Sequence, residues 1–142
     1  LDVEMAADAR LIACESVVFG RQAMGESCDN GDFRDRWRIR RGGKLIFAED
    51  TRLEGPAALL ARPALGHGAR ALATLVCMAP DAPAQLDACR AALADMACES
   101  GVSALDGFLV ARLVSPSPEN LRLAILNLFS CLLGRAAPRV WQ

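Results

Sequence analysis

A stretch of alternating arginine and apolar residues constrains the fold of this 142-residue chain more than any other part of its sequence. Between residues 32 and 40, one set of alternate positions holds Arg34, Arg36, Arg38 and Arg40, and the other set holds Phe33, Trp37 and Ile39. Alternation with a period of two is typical of a β-strand with two different faces. Gly42–Gly43 follows, and glycine readily adopts the positive φ angles of a two-residue hairpin turn. The sequence therefore predicts a β-hairpin with four arginines on one face.

The turn at Gly42–Gly43 also predicts which residues of the two strands face each other. Counting outwards from it pairs Arg41 with Lys44, Ile39 with Ile46, Trp37 with Ala48, Arg36 with Glu49 and Asp35 with Asp50. The predicted buried face therefore consists of Trp37, Ile39, Ile46 and Ala48, and the arginine face also carries Leu45, Phe47 and Glu49. Asp35 and Asp50 would repel each other across the hairpin unless a cation or an arginine lay between them.

Two motifs at short distance from each other carry a resemblance to a known family. They read Gly20-Arg21-x-x-Met24-Gly25-Glu26 and Arg34-Asp35-Arg36-Trp37-Arg38-Ile39-Arg40-Arg41-x-Gly43-x-Leu45-x-Phe47-x-Glu49. In this order and spacing they resemble the urease accessory protein D family, which is called H in some bacteria. The ending Pro138-Arg139-Val140-Trp141 is also similar to that family's ending. The resemblance runs from about residue 1 to the end but matches the C-terminal half of a family member, so we expect a longer parent protein.

The resemblance implies a function that the residues alone do not give. Members of the family are non-enzymatic scaffolds or chaperones that assist nickel insertion into urease apoprotein, and they form a complex with it and with the accessory proteins F and G. Nickel is thought to pass through the interior of the family fold, which is mainly β with a couple of helices. By position in the motifs, the signature loop is carried by Arg21, Met24 and Glu26, and the hairpin by Arg36, Trp37, Arg38, Gly43 and Glu49.

Patterns along the rest of the chain predict the other elements. Strands are expected at residues 1–5, 10–19 (interrupted near Glu15) and 69–78, and a hairpin is expected around Asp106–Gly107. One helix should begin at Asp81 and end before Gly101, and another should run from Ser117 to Gly134. We therefore predict an α+β, mainly β fold of layered sheets with two helices in the C-terminal half. The 142 residues should form a single domain, strand-rich over 1–56 and strand–helix–hairpin–helix over 69–134.

The predicted arginine face has three interpretations. It can be an ordinary solvated surface with internal ion pairs, a protein interface, or a ribbon that follows nucleic-acid phosphates. A formal net charge of −1 disfavours nucleic acid. The residues predicted to bind partner proteins are Arg21, Met24, Glu26, Arg34, Arg36, Arg38 and Arg40. The alternative to a maturation factor is a stand-alone module that binds an acidic protein or nucleic acid.

The metal-ligating residue types are scattered along the sequence. The chain has one histidine, His67, and six cysteines that form no C-x-x-C pair. A tight preformed nickel site is therefore disfavoured, and we expect no tightly bound cofactor. Carboxylates could still line a weak transit path for nickel, and the candidates are Glu15, Glu26, Glu49 and Asp50. A redox or metal-storing role for the thiols is a further alternative.

No pattern in the sequence supports catalysis. The chain lacks a Gly-x-Ser-x-Gly motif, and the segment between Gly20 and Glu26 lacks the Gly-Lys-Ser/Thr ending of a phosphate-binding loop. His67 has no visible partner that could orient it as an acid or base. The longest apolar runs, over residues 71–80 and 123–133, are too short to cross a bilayer. We expect a non-enzymatic protein of the reducing cytoplasm with no membrane partner.

Overall fold

The computed structural model describes residues 1–21 and 24–141, and within these ranges the strands form two sheets. The first sheet has three strands in the order β1-β3-β4: β1 (Asp2–Met5), β3 (Asp32–Arg41) and β4 (Lys44–Glu54). Strand β1 is parallel to β3, whereas β3 and β4 form the antiparallel hairpin that the sequence predicts. This sheet carries the arginines on its outer face.

The second sheet has four strands and lies beneath the first. Its order is β2-β5-β7-β6, with β2 (Leu11–Val18), β5 (Ala71–Met78), β6 (Glu99–Leu105) and β7 (Phe108–Ser115), and all its pairs are antiparallel. The continuous apolar run of β5 fits its place in the interior, because both faces of this strand are covered. Strand β2 runs without a break through Glu15, so the predicted interruption there is wrong.

The helices cover the second sheet on the side away from the first. They are α2 (Leu86–Leu93) and the longer α3 (Pro118–Leu133), and a short helix α1 (Pro56–Leu60) follows the hairpin. The predicted ends of α3 are confirmed. Ser117 Oγ accepts a hydrogen bond from the Asn120 backbone N–H (3.2 Å), and Gly134 ends the helix with a positive φ of 61°.

The layers enclose two apolar cores. One lies between the sheets and contains Met5, Trp37, Ile39, Phe47, Val76, Met78, Phe108 and Val110. The other lies between the four-stranded sheet and helices α2 and α3, and Leu75, Leu113, Ile125 and Leu128 are among its most buried members. The mainly β, layered α+β architecture predicted from the sequence is confirmed, as is the Asp106–Gly107 hairpin turn.

The register of the β3–β4 hairpin differs from the prediction by one residue. Arg41 faces Lys44 as expected, but a β-bulge inserts Ile46 as an extra residue, so that Ile39 faces Phe47. A slip of one residue exchanges the two faces of a strand. Phe47 and Glu49 consequently point towards the second sheet, whereas Ala48 and Asp50 lie among the arginines. Asp50 faces Arg36 rather than Asp35, which removes the predicted repulsion.

The segment around the first predicted helix also differs from expectation. Asp81 precedes a 3₁₀ turn (Ala82–Gln85) instead of an α-helix, and its side chain does not cap that turn. Its carboxylate accepts a hydrogen bond from Arg10 instead. Helix α2 ends at Leu93, and Gly101 lies within strand β6 rather than at a helix end. The predicted role of Gly101 as a helix end is therefore wrong, because a glycine ends a helix only when the helix extends as far as that residue.

The two sheets differ in width by one strand. Strand β4 packs over β7, because the ring centroids of Phe47 and Phe108 are 5.9 Å apart. Strand β6 lies next to β7 and extends beyond the edge of the three-stranded sheet. An open groove therefore runs between β4 and β6, with Leu105 at its margin 47% exposed. None of the helices in the described ranges has the length and apolar character needed to span a bilayer.

Candidate interaction surface

The outer surface of the three-stranded sheet, here called the arginine face, is built from alternate residues of three strands. Strand β3 contributes Asp32 and the four predicted arginines, and their neighbours on β1 and β4 point the same way because paired residues share a face. The face comprises Arg34, Arg36, Arg38, Arg40 and Arg52, the carboxylates Asp2, Glu4, Asp32, Asp50 and Glu54, and the apolar Leu45 and Ala48. Its arginines and carboxylates are equal in number, so the face as a whole is formally neutral.

Three of the five outer arginines contact a carboxylate within the face. Arg34 donates two hydrogen bonds to Asp50, from Nε to Oδ1 (3.0 Å) and from Nη2 to Oδ2 (2.7 Å). Arg52 contacts the same carboxylate at 3.2 Å, and Arg40 pairs with Asp2 at 2.8 Å. These bonds occupy both ends of the face and leave its centre to two other arginines.

The two central arginines have no carboxylate partner among the described residues. Arg38 Nη1 donates to the backbone carbonyls of Trp37 (2.8 Å) and Glu49 (3.0 Å). The Arg36 side chain has no hydrogen bond or ion pair within residues 1–21 and 24–141, although Asp50 faces it across the hairpin. Asp50 is turned towards Arg34 and Arg52, so it forms no ion pair with Arg36, whose side chain is exposed.

The ion pairs around Asp50 lower its pKa. Hydrogen bonds from Arg34, then from Arg52, favour the ionised carboxylate and hold its pKa well below the ordinary value of 3.8. The same contact raises the pKa of Arg34. Asp50 is therefore ionised throughout the neutral range.

The signature loop between β2 and β3 closes on itself. Arg21 and Glu26 form a two-pronged ion pair, with both N–O distances at 2.7 Å, which raises the pKa of Arg21. Gly20 is required at the base, because its φ is +86° and a Cβ there would lie 2.5 Å from the Glu26 carbonyl oxygen. Met24 is left 70% exposed at the loop's surface. The motif thus encodes a closed loop that presents a methionine.

The four carboxylates named as candidates for a weak nickel transit path do not form a cluster in the described part of the chain. Glu26 is held by Arg21, Asp50 by Arg34 and Arg52, and Glu49 by Arg112 of the second sheet (2.7 Å). Glu15 lies on β2, and its side chain has no arginine partner in the described part of the chain. In residues 1–21 and 24–141, no group of three or more His, Cys, Asp and Glu side chains is placed to hold a metal ion.

The six cysteines are all unpaired thiols. The closest contact joins the sulfurs of Cys89 and Cys131 at 3.9 Å, between α2 and α3. Burial raises the pKa of Cys89 to about 12, with a smaller contribution from Cys131, and burial together with the charge of Glu15 raises the pKa of Cys14 to about 12. Such thiols carry little thiolate at neutral pH and react slowly.

The sequence did not predict several residues that complete the arginine face or form ion pairs with its neighbours. Asp2 and Glu4 join the face because β1 pairs with β3 in parallel, and no local pattern reports such a pairing. Arg52 was also missed, although its alternation with Asp50 on the second strand of the hairpin was a usable signal. Arg112 was missed because its contact with Glu49 bridges residues 63 positions apart.

Comparison with known proteins identifies the family. The family model of the UreD urease accessory protein matches residues 1–142. The chain is 57% identical over 129 residues to the urease accessory protein UreD of Beijerinckia indica, an alignment that covers 89% of the chain and 48% of the relative. It is 47% identical to UreD of Methylobacterium sp. strain 4-46, covering all of the chain and 52% of the relative, and 44% identical to UreD of Xanthobacter autotrophicus, covering 99% and 49%.

The chain spans about half the length of the curated relatives it matches. The family and these relatives are described as accessory proteins and not as enzymes, in agreement with the prediction that the chain is not an enzyme. The resemblance seen in the signature loop and the hairpin is confirmed, since the family match includes both motifs. This chain belongs to the UreD urease accessory protein family.

Proposed function

We propose that this chain is part of a non-enzymatic scaffold that assists nickel insertion into urease apoprotein in the cytoplasm. Its partners in this proposal are the urease apoprotein and the accessory proteins F and G. The observation that carries the proposal is the family match over the whole chain, together with relatives that are named urease accessory proteins. The 142 residues would act within a protein of about the relatives' length.

The arginine face and the signature loop are the proposed partner-binding regions. Arginine and methionine are both enriched in protein interfaces, arginine because its planar guanidinium binds carboxylates with two hydrogen bonds. Arg36 and Met24 are exposed, and their side chains make no hydrogen bond or ion pair with residues 1–21 or 24–141, so both are available to a partner. Arg21, Glu26, Arg34 and Arg40 would contribute by fixing the shape of the surface, since each is already ion-paired.

Nickel is cargo in this proposal and not a resident cofactor. A transit ligand should bind weakly, and a single carboxylate oxygen is a weak ligand for such an ion. Three of the four candidate carboxylates would have to leave an arginine before they could contact the metal. Glu15 is therefore the candidate best suited to a transient contact.

The proposed function is tested by deleting the gene from the source cell and then restoring it. We expect urease purified from the deletion strain to be poor in nickel and inactive, and restoration of the gene to return both metal and activity. Nickel content measured by elemental analysis separates a maturation defect from loss of the urease polypeptide, whose amount is measured in parallel. Fully nickel-loaded urease in the deletion strain would overturn the proposal.

A further inference from the structure

We infer that the centre of the arginine face, formed by Arg36 and Arg38, receives two carboxylates from an acidic segment of a partner protein. This inference rests on the proposed function, because it assumes that the chain works in a protein complex. It goes further by assigning the contact to two of the five arginines on the face and by stating the chemistry of the segment that binds them.

The distribution of charge within the face supports this assignment. Arg34 and Arg52 share Asp50, and Arg40 is paired with Asp2, so three of the five outer arginines already have a carboxylate. A carboxylate from a partner would bind more weakly to an arginine that already contacts a carboxylate. Arg36 has no such partner among the described residues, and Arg38 donates only to neutral backbone carbonyls. Among the five arginines of the face, Arg36 and Arg38 are thus the two that contact no carboxylate in the described part of the chain.

The spacing of the two arginines defines the spacing of their ligands. Residues 36 and 38 are alternate positions of one strand, so their Cα atoms lie about 6.5–7 Å apart. Two carboxylates at alternate positions of an extended segment have the same repeat. Ala48 faces Arg38 across the hairpin, and its methyl group leaves room above the sheet where a longer side chain would block the approach.

The neighbouring ion pairs favour a protein segment over a nucleic acid. A phosphate backbone would have to continue past Arg36 and Arg38 and meet Asp2, Glu4, Asp50 and Glu54, which surround them on the same face. The whole face is formally neutral, and non-specific nucleic-acid binding depends on an extended excess of positive charge. A short acidic segment would meet fewer of these carboxylates than a continuous phosphate backbone, because it contacts the face only at the two central arginines.

The test uses the full-length protein from the source gene, with Arg36→Glu as the primary variant. The Arg36 side chain is exposed and makes no hydrogen bond or ion pair in the described part of the chain, so this change should leave the fold intact, whereas Arg38 also donates hydrogen bonds to two carbonyls of the hairpin. The matched control is Arg122→Glu, which makes the same charge change at an exposed position of α3. Thermal melting of both variants verifies that they fold as the parent protein does.

Urease apoprotein and accessory proteins F and G are titrated separately against each protein at low and high salt. We expect Arg36→Glu to weaken the binding of one of them by about tenfold or more, with a reduced salt dependence, and Arg122→Glu to bind like the parent. Arg36→Lys should restore part of the lost affinity, since it keeps the charge but not the planar two-pronged donor.

Unchanged binding by Arg36→Glu, with nickel-poor urease still found in the deletion strain, would overturn this inference and leave the proposed function standing. Nickel-loaded urease in that strain would remove the proposed function itself. A labelled single-stranded oligonucleotide serves as the second probe. Binding of the oligonucleotide by the parent and its loss in Arg36→Glu would assign the two arginines to nucleic acid instead of protein.

Discussion

Glu49 of the three-stranded sheet and Arg112 of the four-stranded sheet form an ion pair that joins the two layers, with Oε2 and Nη2 2.7 Å apart. The Glu49 side chain is only 12% exposed, whereas that of Arg112 is 57% exposed. The bulge at Ile46 makes the pair possible, because it turns Glu49 from the arginine face to the space between the sheets. One extra residue in β4 therefore creates a link between layers.

The unequal burial of the two partners predicts unequal effects of removing them. Arg112→Met leaves a largely buried carboxylate without its charged donor, and we expect it to lower the free energy of unfolding by about 1–2 kcal/mol. Glu49→Gln leaves an arginine that water can solvate, and it should lower stability by less than about 1 kcal/mol. Chemical denaturation of both single variants and the double variant measures the coupling. Equal losses in the two single variants would contradict this account.

The ion pair of Asp50 predicts a specific dependence of stability on pH. The pKa of Asp50 is lower in the folded state than its ordinary value of 3.8, so its contribution is fully present above that value and is lost as the pH falls towards the folded pKa. The difference in melting temperature between the parent and Asp50→Asn should therefore shrink below about pH 4. Glu54→Gln is the control on the same strand. A difference that stays constant down to about pH 2 would show that Asp50 contributes no such linkage.

The core beneath the four-stranded sheet predicts a contrast within one helix. Leu128 of α3 is fully buried, whereas Leu123 of the same helix is 49% exposed. We expect Leu128→Ala to lower the free energy of unfolding by about 2–5 kcal/mol, because it leaves a cavity between α3 and the sheet. Leu123→Ala should change stability by no more than about 0.5 kcal/mol. Denaturant titration gives both values, and similar losses in the two variants would contradict the packing of α3.

The surroundings of the cysteines predict the order in which they react. Cys14 and Cys89 have pKa values raised to about 12 by burial, so a disulfide reagent at neutral pH should modify them only after unfolding. Cys28 lies half-exposed in the loop before β3 and should react first. Counting thiols in native and denatured protein tests this order, and Cys28→Ser should remove the fast phase. Rapid native modification of Cys89 would instead favour the redox interpretation of the thiols.

Local signals were sufficient to predict most elements of the fold. The Gly42–Gly43 turn, the cap formed by Ser117 and the glycine at position 134 each act within a few residues, and the structure has all three where they were expected. The bulge at Ile46 was not predictable by counting, because an alternating pattern looks the same whichever residue is the extra one. The bulge also shapes the candidate interaction surface, since it decides which of Glu49 and Asp50 lies on the arginine face.

The sequence predicted which strand carries the arginines of the candidate site, but it did not predict which of these arginines are ion-paired. Alternation correctly placed the four arginines of β3 on one face, but it could not show that Asp2 neutralises Arg40 or that Asp50 binds Arg34 in preference to the facing Arg36. These partners follow from parallel pairing with β1 and from side-chain geometry across the hairpin. The pairing with β1 joins residues that are distant in sequence, and the side-chain geometry depends on rotamers. Neither feature produces a periodic pattern in the sequence.

The extra width of the four-stranded sheet has a consequence for how the molecule behaves at high concentration. Its edge strand beside the groove, β6, has one open edge, a single charged residue (Glu99) and no bulge. Strand β4 carries several charges as well as its bulge, which are the usual features that prevent one sheet from extending into another. Of the two strands that border the groove, β6 is therefore the one expected to pair with another copy of the chain at high concentration, and we expect Ser103→Lys to suppress that pairing.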